Sequence, residues 1–195
     1  MEAALRVIRE KGYSATTVDD LCAAAGVTKG AFFHHFESKE ASAVAAAQHW
    51  SRVTGALFAS APYHTLEDPL ARVLGYVDFR RDLIRGALPD FTCLVGTMVQ
   101  EAYGASPAIR AACADSIFGH AHTLEADIQA AMDAHGIAAD WTAESLAHHT
   151  QAVLQGAFVL AKARGEAGIA AESCRHLKRY IELLFARSQR KGGKT

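Results

Sequence analysis

The chain has 195 residues, of which 50% are apolar and 21% are charged, and its formal net charge is −1. This length and composition are sufficient for a folded core and exclude a disordered or collagen-like protein, while the near-neutral charge excludes indiscriminate binding to nucleic acid or anionic membranes. No apolar run approaches the roughly 20 residues that span a bilayer, and the N-terminal segment lacks the apolar core of a signal peptide. A cytoplasmic protein without a membrane partner is expected.

The cysteines are widely spaced and form no C-x-x-C pair. That spacing argues against a zinc ribbon or a thioredoxin-type motif and is typical of reduced thiols. We therefore expect no metal and no cofactor. The cysteines are Cys22, Cys93, Cys113 and Cys174.

The N-terminal region predicts short helices with well-marked ends. A first helix spans Glu2 to Lys11, and Gly12 ends it. Thr16, with Asp19 three residues later, predicts a capping box at the start of a second helix. Gly26 closes that second helix.

A third helix begins after the short turn "AGV". Thr28 is its expected N-cap, and Val27 before the cap with Phe32 at the fourth helical position predicts a hydrophobic staple. Ser38 is expected to cap a fourth helix that runs toward Phe58. A supporting helix followed by two helices joined by a Gly-containing turn is typical of a helix-turn-helix, whose second helix lies in the DNA major groove.

The segment "SAPYHTLEDP", residues 60–69, interrupts the helical pattern. Beyond it, the 3.6-residue period predicts helices at about 66–86, 92–103, 107–135, 142–164 and 170–187. The prediction is an all-α protein of about nine helices, with an N-terminal domain at residues 1–45 and a second domain at residues 46–195. The basic residues at the C-terminal end predict a solvated tail.

Two lysines at helix N-termini support the DNA-binding interpretation. Lys29 and Lys39 lie in the first turns of the third and fourth helices, where the helix dipole disfavours a cation by about 0.3–1 kcal/mol. A DNA phosphate bound beside each lysine would offset this cost, because the helix N-H groups and the lysine ammonium would both contact the same anion. Gly30 allows close approach of a backbone. The alternative is that both lysines are ordinary solvated residues.

The adjacent pair His34 and His35 raises the possibility of a metal or acid-base site. Adjacent helical residues point about 100° apart, so the two rings cannot face one metal ion or one substrate. We expect His34 on the surface and His35 partly buried beside Phe32 and Phe36. An enzyme that uses histidines and cysteines is an alternative, but the sequence offers no i, i+4 ligand pair for it.

The stretch "TTVDDLCAAAGVTKGAFFHHFESKEA" resembles the DNA-binding signature of the tetracycline-repressor (TetR) family. The resemblance implies a cytoplasmic, non-enzymatic repressor that binds a palindromic operator as a homodimer and is released by an inducer. In this family Thr17 and Lys39 would hold phosphates. The residues expected at the groove are Thr28, Lys29, Gly30, Ala31, Phe33 and His34.

Two departures from the family pattern stand out. Phe33 replaces a tyrosine whose hydroxyl usually meets a phosphate, and Cys22 replaces an alanine. Residues 1–50 hold five Lys or Arg against six Asp or Glu. Members of the family, by contrast, often have a longer, basic segment before the first helix. The acidic head and the short lead before the first helix motivate the alternative of a small-molecule-binding protein of the same fold that has lost DNA binding.

The last two predicted helices each carry a broad apolar face. The resemblance implies that they form the homodimer interface, and burial within the monomer is the alternative. The helices between the DNA-binding head and the dimer interface would enclose a small-molecule effector, apolar or electrophilic. The expected lining residues are Phe79, Phe91, Cys93, Met98, His120, Leu124, Trp141, His149 and Phe158. The alternative for each of them, including His120, is an ordinary place in the core.

Two further stretches, "FTCLVGTMVQEAYGASPAIRAA" and "QGAFVLAKARGEAG", resemble the branch of the family that responds to electrophiles and oxidants. This resemblance implies that Cys93 is a sensing thiol and that Lys162 lies near it. A helix N-terminus and a nearby ammonium would both stabilise a thiolate. The alternative is that Cys93 is a small core residue.

Overall fold

A computed structural model of the protein describes residues 1–189, with side chains described as far as residue 186. These residues form α-helices and one 3-10 helix and no strand, which confirms the all-α prediction. The helices are α1 Glu2–Lys11, α2 Val18–Ala25, α3 Lys29–His35, α4 Lys39–Ala59, the 3-10 helix Pro62–Thr65, α5 Pro69–Asp82, α6 Leu88–Phe91, α7 Leu94–Ala102, α8 Pro107–Ala134, α9 Ala143–Arg164 and α10 Gly168–Gln189. The tail residues Arg190, Lys191 and Lys194 lie outside the described residues.

The chain folds as two compact units. The first unit comprises Met1–Leu57 and Leu88–Gly119, and the second comprises Phe58–Ala87 and the chain from His120 onward. The predicted domain boundary between residues 45 and 46 stays a prediction. No helix in the described part of the chain is long and apolar enough to cross a membrane.

Helix α1 organises the first unit by packing against α2, α6 and α7. Leu5 and Ile8 are buried in a core formed with α4, α7 and the first part of α8. Val7 points to a second, smaller core, where it packs with Leu21 of α2 and Phe32 of α3. Because α1 contributes to both cores, it fixes the two-helix unit α2–α3 to the rest of the first unit.

The start of α2 differs from the prediction by one residue. Thr17, not Thr16, is the N-cap: its hydroxyl oxygen accepts from the Asp20 amide at 3.1 Å, and the Asp20 carboxylate accepts from the Thr17 amide at 2.9 Å. Thr16 is buried, and its hydroxyl donates instead to the Gly12 carbonyl at 2.6 Å. The prediction of Thr16 as N-cap is therefore wrong, because that hydroxyl is engaged within the core.

The other ends of the N-terminal helices follow the prediction. Thr28 caps α3 by accepting from the Ala31 amide at 3.1 Å, and Ser38 caps α4 by accepting from the Ala41 amide at 3.0 Å. Gly26, with φ 66°, occupies the left-handed conformation that ends α2. The short turn between α2 and α3 thus has the geometry that a helix-turn-helix requires.

In the second unit, α10 packs against both α5 and α9. Helix α5 begins later than predicted, because Asp68 caps it by accepting from the Leu70 and Ala71 amides, with Pro69 as the first helical residue. The 3-10 helix occupies the preceding residues and lies against Gly75 of α5. A Cβ at that glycine would lie 2.7 Å from the Cβ of Tyr63, so a side chain is excluded there.

Candidate functional site

The outer face of α3 carries most of the predicted DNA-contacting residues. Phe32 is 7% exposed and fastens the helix to the small core, whereas Phe33 is 52% exposed. The Phe33 ring meets the Phe32 ring edge-on, with centroids 5.2 Å apart. The Phe33 ring therefore stands on the surface of α3 beside polar neighbours. The other exposed residues of this face are Thr28, Lys29, Gly30, Ala31 and His34.

The two lysines of this region have different surroundings. Lys29 pairs with Asp19 of α2 at 2.8 Å, and this hydrogen-bonded carboxylate raises the pKa of Lys29. Both side chains are exposed, so a DNA phosphate could replace the carboxylate, with Asp19 as a competitor. Lys39 is half-buried; its ammonium lies 4.4 Å from the centroid of the Tyr13 ring and 3.4 Å from the Ser14 carbonyl oxygen. The Tyr13 ring therefore restrains the Lys39 ammonium at the N-terminus of α4.

The acidic residues at the start of α2 are paired as well. Asp20 accepts a hydrogen bond from Lys11 at 2.6 Å, and the Lys11 ammonium holds the pKa of Asp20 well below its usual range. Thr17 is exposed and donates its hydroxyl to Asp20 at 2.8 Å. These ion pairs occupy the lysines Lys11 and Lys29 together with the two aspartates, so the net charge of residues 1–50 is unchanged.

The expectation that His35 is partly buried is wrong. His35 is exposed, and its ring centroid lies 5.1 Å from that of His34. It does lie beside Phe32 and Phe36, on the wall of an apolar cavity of about 340 Å³. Helix α3 ends at His35, and Phe36 continues in an extended conformation, so no further helical turn covers the imidazole. Within the described residues, no group of three or more His, Cys, Asp and Glu could hold a metal ion.

Cys93 is the N-cap of α7 and a half-buried free thiol. Its sulfur accepts from the Gly96 amide at 3.3 Å, a geometry that presents the thiol to the positive end of the helix dipole. Cys113 of the same unit is buried, and burial raises the pKa of Cys113 to about 12. Cys93 is therefore the more reactive candidate of the two.

The remaining members of the thiol and effector predictions lie in both units. In the first unit, Phe91 is half-buried in α6 and Met98 is fully buried in the core. Lys162 is half-buried in α9 of the second unit. The proximity of Cys93 and Lys162 stays a prediction.

The second unit contains a polar and aromatic cluster centred on Tyr76, called the Tyr76 cluster below. The Tyr76 side chain is 0% exposed. Its hydroxyl oxygen accepts from Arg80 Nε at 2.9 Å and from Gln151 Nε2 at 3.2 Å, and lies 3.0 Å from His120 Nε2. The full set is Phe58, Tyr63, Tyr76, Phe79, Arg80, His120 and Gln151.

His120 is a neutral member of the cluster. Burial, reinforced by the Arg80 charge, lowers the pKa of His120 to about 3. A neutral imidazole offers Nε2 as an acceptor, so Tyr76 donates its hydroxyl proton to that nitrogen. The Phe58 ring covers both His120, at 4.6 Å, and Phe79, at 5.4 Å between centroids. The predicted lining residues Phe79 and His120 are thus brought together.

The other predicted lining residues of the second unit have separate surroundings. Leu124 and Phe158 are buried. Trp141 packs edge-on against Phe185 at 5.8 Å, and His149 is exposed with its ring 5.0 Å from that of Tyr180. Arg80, Tyr76 and Gln151 were missed by the sequence prediction; the i, i+4 spacing of Tyr76 and Arg80 was the available signal.

The apolar faces of α9 and α10 that were expected at the dimer interface are mostly buried within the monomer, as Leu154 and Ile181 show. Both helices also expose large apolar side chains outside that buried face. The exposed fractions lie between 43% and 58%. The monomer leaves four such residues of these two adjacent helices in water. They are Val159, Leu160, Tyr180 and Leu183.

Two family descriptions match this chain. "Bacterial regulatory proteins, tetR family" matches residues 1–46, and "Tetracyclin repressor-like, C-terminal domain" matches residues 69–177. The HTH-type transcriptional repressor DhaR of Mycobacterium sp. (strain GP1) is 54% identical over 41 residues, which are 21% of this chain and 21% of that protein. The Tn10 transposon protein TetC of Escherichia coli is 55% identical over 31 residues, 16% of each chain. The matched stretch therefore spans about a fifth or less of the length of these relatives.

Similarity to solved structures extends over most of the chain. A TetR-family regulator of Agrobacterium tumefaciens has a TM-score of 0.81 at 19% identity, covering 92% of this chain and 94% of that chain. The regulatory protein TetR of Rhodobacter sphaeroides gives 0.75 at 26%, covering 91% and 94%. The reduced form of Escherichia coli NemR gives 0.76 at 20%, again covering 91% and 94%, and this similarity shows a shared fold. Because one family description covers α1–α3 and the other more than half of the chain, the protein belongs to the TetR family of helix-turn-helix transcriptional regulators.

Proposed function

We propose that the protein is a repressor that binds a palindromic DNA operator as a homodimer and leaves it when an inducer binds. The observation that carries this proposal is the outer face of α3, where polar residues and the 52% exposed Phe33 are exposed to solvent. In this arrangement, Thr17 and Lys39 hold phosphates. The residues assigned to the groove are Thr28, Lys29, Gly30, Ala31, Phe33 and His34.

Phosphate contacts and base contacts have different consequences. Phosphate contacts fix the position of the protein on DNA for any sequence, whereas base contacts select the sequence. Lys39, restrained by the Tyr13 ring, belongs to the first class. His34, exposed on α3, belongs to the second. Phe33 lacks a hydroxyl and contributes apolar contact in place of a phosphate hydrogen bond.

The exposed apolar surface of α9 and α10 supports a homodimer. A second copy of the same surface would cover it by two-fold symmetry and form a four-helix interface. Dimerisation also serves DNA recognition, because two α3 helices about 34–36 Å apart meet successive major grooves of a palindrome.

An inducer would act by binding one arrangement of the dimer more tightly than the other. The population then shifts toward dimers whose α3 helices no longer match the operator spacing. Within the second unit, the proposed effector region comprises Phe79, His120, Leu124, Trp141, His149 and Phe158. The Tyr76 cluster supports this assignment for Phe79 and His120, whose rings both contact Phe58.

Substitutions on α3 and α4 test the two classes of DNA contact. Lys39→Ala should weaken binding about tenfold on every operator sequence and lower the salt dependence by about one counterion per lysine. His34→Ala should instead relax preference at particular base pairs, by about 1–3 kcal/mol at each. Gel-shift titrations on the DNA upstream of the gene, with single-base variants, measure both.

Arg85→Ala, which removes an exposed cation of the second unit, is the matched control and should bind as the parent does. Equal loss on all sequences for both the Lys39 and the His34 variants would show that the assigned roles are wrong.

We also propose that electrophiles release the protein from DNA through Cys93. The Cys93 sulfur would add across the double bond of N-ethylmaleimide, with the thiol proton ending on the adjacent carbon. The probe should release the parent protein from DNA and leave Cys93→Ser bound. Lys162→Met should slow the reaction if that ammonium stabilises the thiolate.

Cys174→Ala is the matched control, because Cys174 is a buried thiol of the second unit. It should respond to the electrophile as the parent does. Equal release of the parent and of Cys93→Ser in the gel-shift assay would discard thiol sensing and leave the repressor proposal intact.

The pairing of Lys29 with Asp19 favours a second candidate, a small-molecule-binding protein of the same fold without DNA binding. In that case Asp19 keeps Lys29 neutralised and no operator is bound. Gel shifts with the parent and with Asp19→Asn, which frees Lys29, separate the two candidates. An operator-binding repressor binds DNA both as the parent and as Asp19→Asn, whereas the second candidate does not bind an operator as the parent.

A further inference from the structure

We propose that Arg80 is the anchor for a carboxylate of the effector, and that the effector of the second unit is an organic acid with an apolar body. This inference rests on the proposed effector-binding function and specifies its ligand class.

The Arg80 guanidinium is held in one orientation. Its Nε donates to the Tyr76 hydroxyl at 2.9 Å, and its Cζ lies 4.2 Å from the centroid of the Phe58 ring and 5.4 Å from that of Tyr76. Tyr76 is itself fully buried and fixed by Gln151 and His120. Because Nε is the atom engaged by Tyr76, the terminal amino groups of the guanidinium remain as donors for another acceptor.

Arg80 differs from the other arginines of α5 in its charge balance. Arg72 pairs with Asp127 at 2.6 Å, and Arg81 pairs with Asp78 at 2.9 Å. Lys178 of α10 also pairs with Asp78, at 2.6 Å. Arg80, although half-buried, has no carboxylate partner among the described residues.

The titratable neighbours of Arg80 do not supply the missing negative charge. The pKa of His120 is lowered to about 3, so its imidazole is neutral at physiological pH. Burial raises the pKa of Tyr63 to about 12, so its phenol is also neutral. Burial likewise raises the pKa of Cys174, which lies in the field of Arg80, to about 11. The carboxylates that act on the same neighbours, Asp127 and Asp78, already pair with Arg72 and with Arg81 and Lys178. A partly desolvated cation whose surrounding carboxylates serve other cations favours an anion that arrives with the ligand.

The geometry and charge of the guanidinium indicate which anion it would bind. The planar guanidinium presents paired donors that match the two oxygens of a carboxylate, and one cation balances one negative charge. Phe79, which is half-buried and meets the buried rings of Phe58 and Tyr63, offers partly exposed aromatic surface to an apolar body. A doubly charged phosphate would remain unbalanced, so the site favours a monocarboxylate with an aromatic or aliphatic tail.

Binding of matched acid and amide probes to the full-length protein, without DNA, tests this inference. Isothermal calorimetry with 2-naphthoate and 2-naphthamide should show that the neutral amide binds at least about tenfold more weakly than the acid. Benzoate and octanoate extend the test to a smaller and to an aliphatic acid. Arg80→Met should lose at least about tenfold in affinity for the preferred acid, and Arg80→Lys should retain part of it.

Arg81→Met is the matched control, because it removes a neighbouring cation that already has carboxylate partners. It should bind the acid as the parent does. Circular dichroism checks that each variant is folded. If Arg80→Met fails to fold, the acid affinities of Arg80→Lys and Arg81→Met test the inference, and Arg80→Lys should bind the acid more weakly than Arg81→Met does.

Three results would overturn the inference: equal binding of amide and acid, unchanged acid binding by the Arg80 variants, or no binding of any of the three acids at millimolar concentration. The proposed repressor function fails separately, in the DNA assays. An acid could bind at Arg80 without changing how well the protein is retained on DNA. That result would contradict the proposal that this ligand releases the protein from DNA, but not the proposal that Arg80 binds a carboxylate.

Discussion

Leu160→Glu is expected to convert the dimer to monomers and to abolish specific operator binding. Leu160 is 50% exposed on α9, and Leu183 is 58% exposed on α10. Two-fold symmetry would place one introduced carboxylate from each subunit in the same apolar interface, where an unpaired charge is costly. A combined cost of about 3 kcal/mol weakens dimerisation more than about 100-fold.

Light scattering during gel filtration measures the mass of the variant, and a gel shift measures its DNA binding. Tyr103→Glu is the control, because Tyr103 is 64% exposed at the end of α7, in the first unit and away from α9 and α10 in the sequence. It should remain dimeric. A dimeric Leu160→Glu protein would show that the interface is elsewhere, and a monomeric one that still binds the operator would show that dimerisation is dispensable.

Acidification is expected to destabilise the protein through His120. An ordinary histidine has a pKa of 6.5, whereas the pKa of His120 in the folded protein is about 3. Between these values the unfolded chain binds a proton that the folded protein excludes, so the stabilisation present above pH 6.5 is lost as the pH falls. At about 1.4 kcal/mol per pH unit, the free energy of unfolding at pH 5 is lower by about 2 kcal/mol than at pH 7.5 through this group alone.

Urea unfolding of the parent and of His120→Gln at both pH values measures this contribution. The variant keeps an acceptor near the Tyr76 hydroxyl but has no imidazole to protonate, so its loss on acidification should be smaller by about 2 kcal/mol. His122→Gln is the control, since the His122 side chain is 79% exposed, and it should follow the parent. Identical pH dependence of the parent and His120→Gln would contradict the burial of a neutral imidazole.

Local sequence signals predicted the N-terminal helices well because each end is fixed by a nearby side chain. Thr28 and Ser38 act as caps through amides only three residues away, and Gly26 ends α2 through its own backbone conformation. The one error among these ends has a local cause as well. Thr16 and Thr17 are each followed three residues later by an aspartate, and only the burial of Thr16 decides between them.

Features that depend on packing between distant segments could not be predicted in this way. Tyr76 meets His120 and Gln151 across 44 and 75 positions of sequence, and no local pattern joins these residues. The exposure of His35 depends on the end of α3, where the chain becomes extended at Phe36. The candidate DNA surface is local to α2–α4 and was predictable, whereas the candidate effector site is assembled by tertiary packing.

Selection from random double-stranded DNA by the purified protein tests its proposed role as an operator-binding repressor most directly. We predict enrichment of a palindrome whose half-sites are separated by about one helical turn or a multiple of it, 34–36 Å per turn. Leu160→Glu should not enrich that palindrome, and Lys39→Ala should enrich the same sequence more weakly. Binding with no enriched sequence, or no retention of DNA at any salt concentration, would contradict operator recognition by α3.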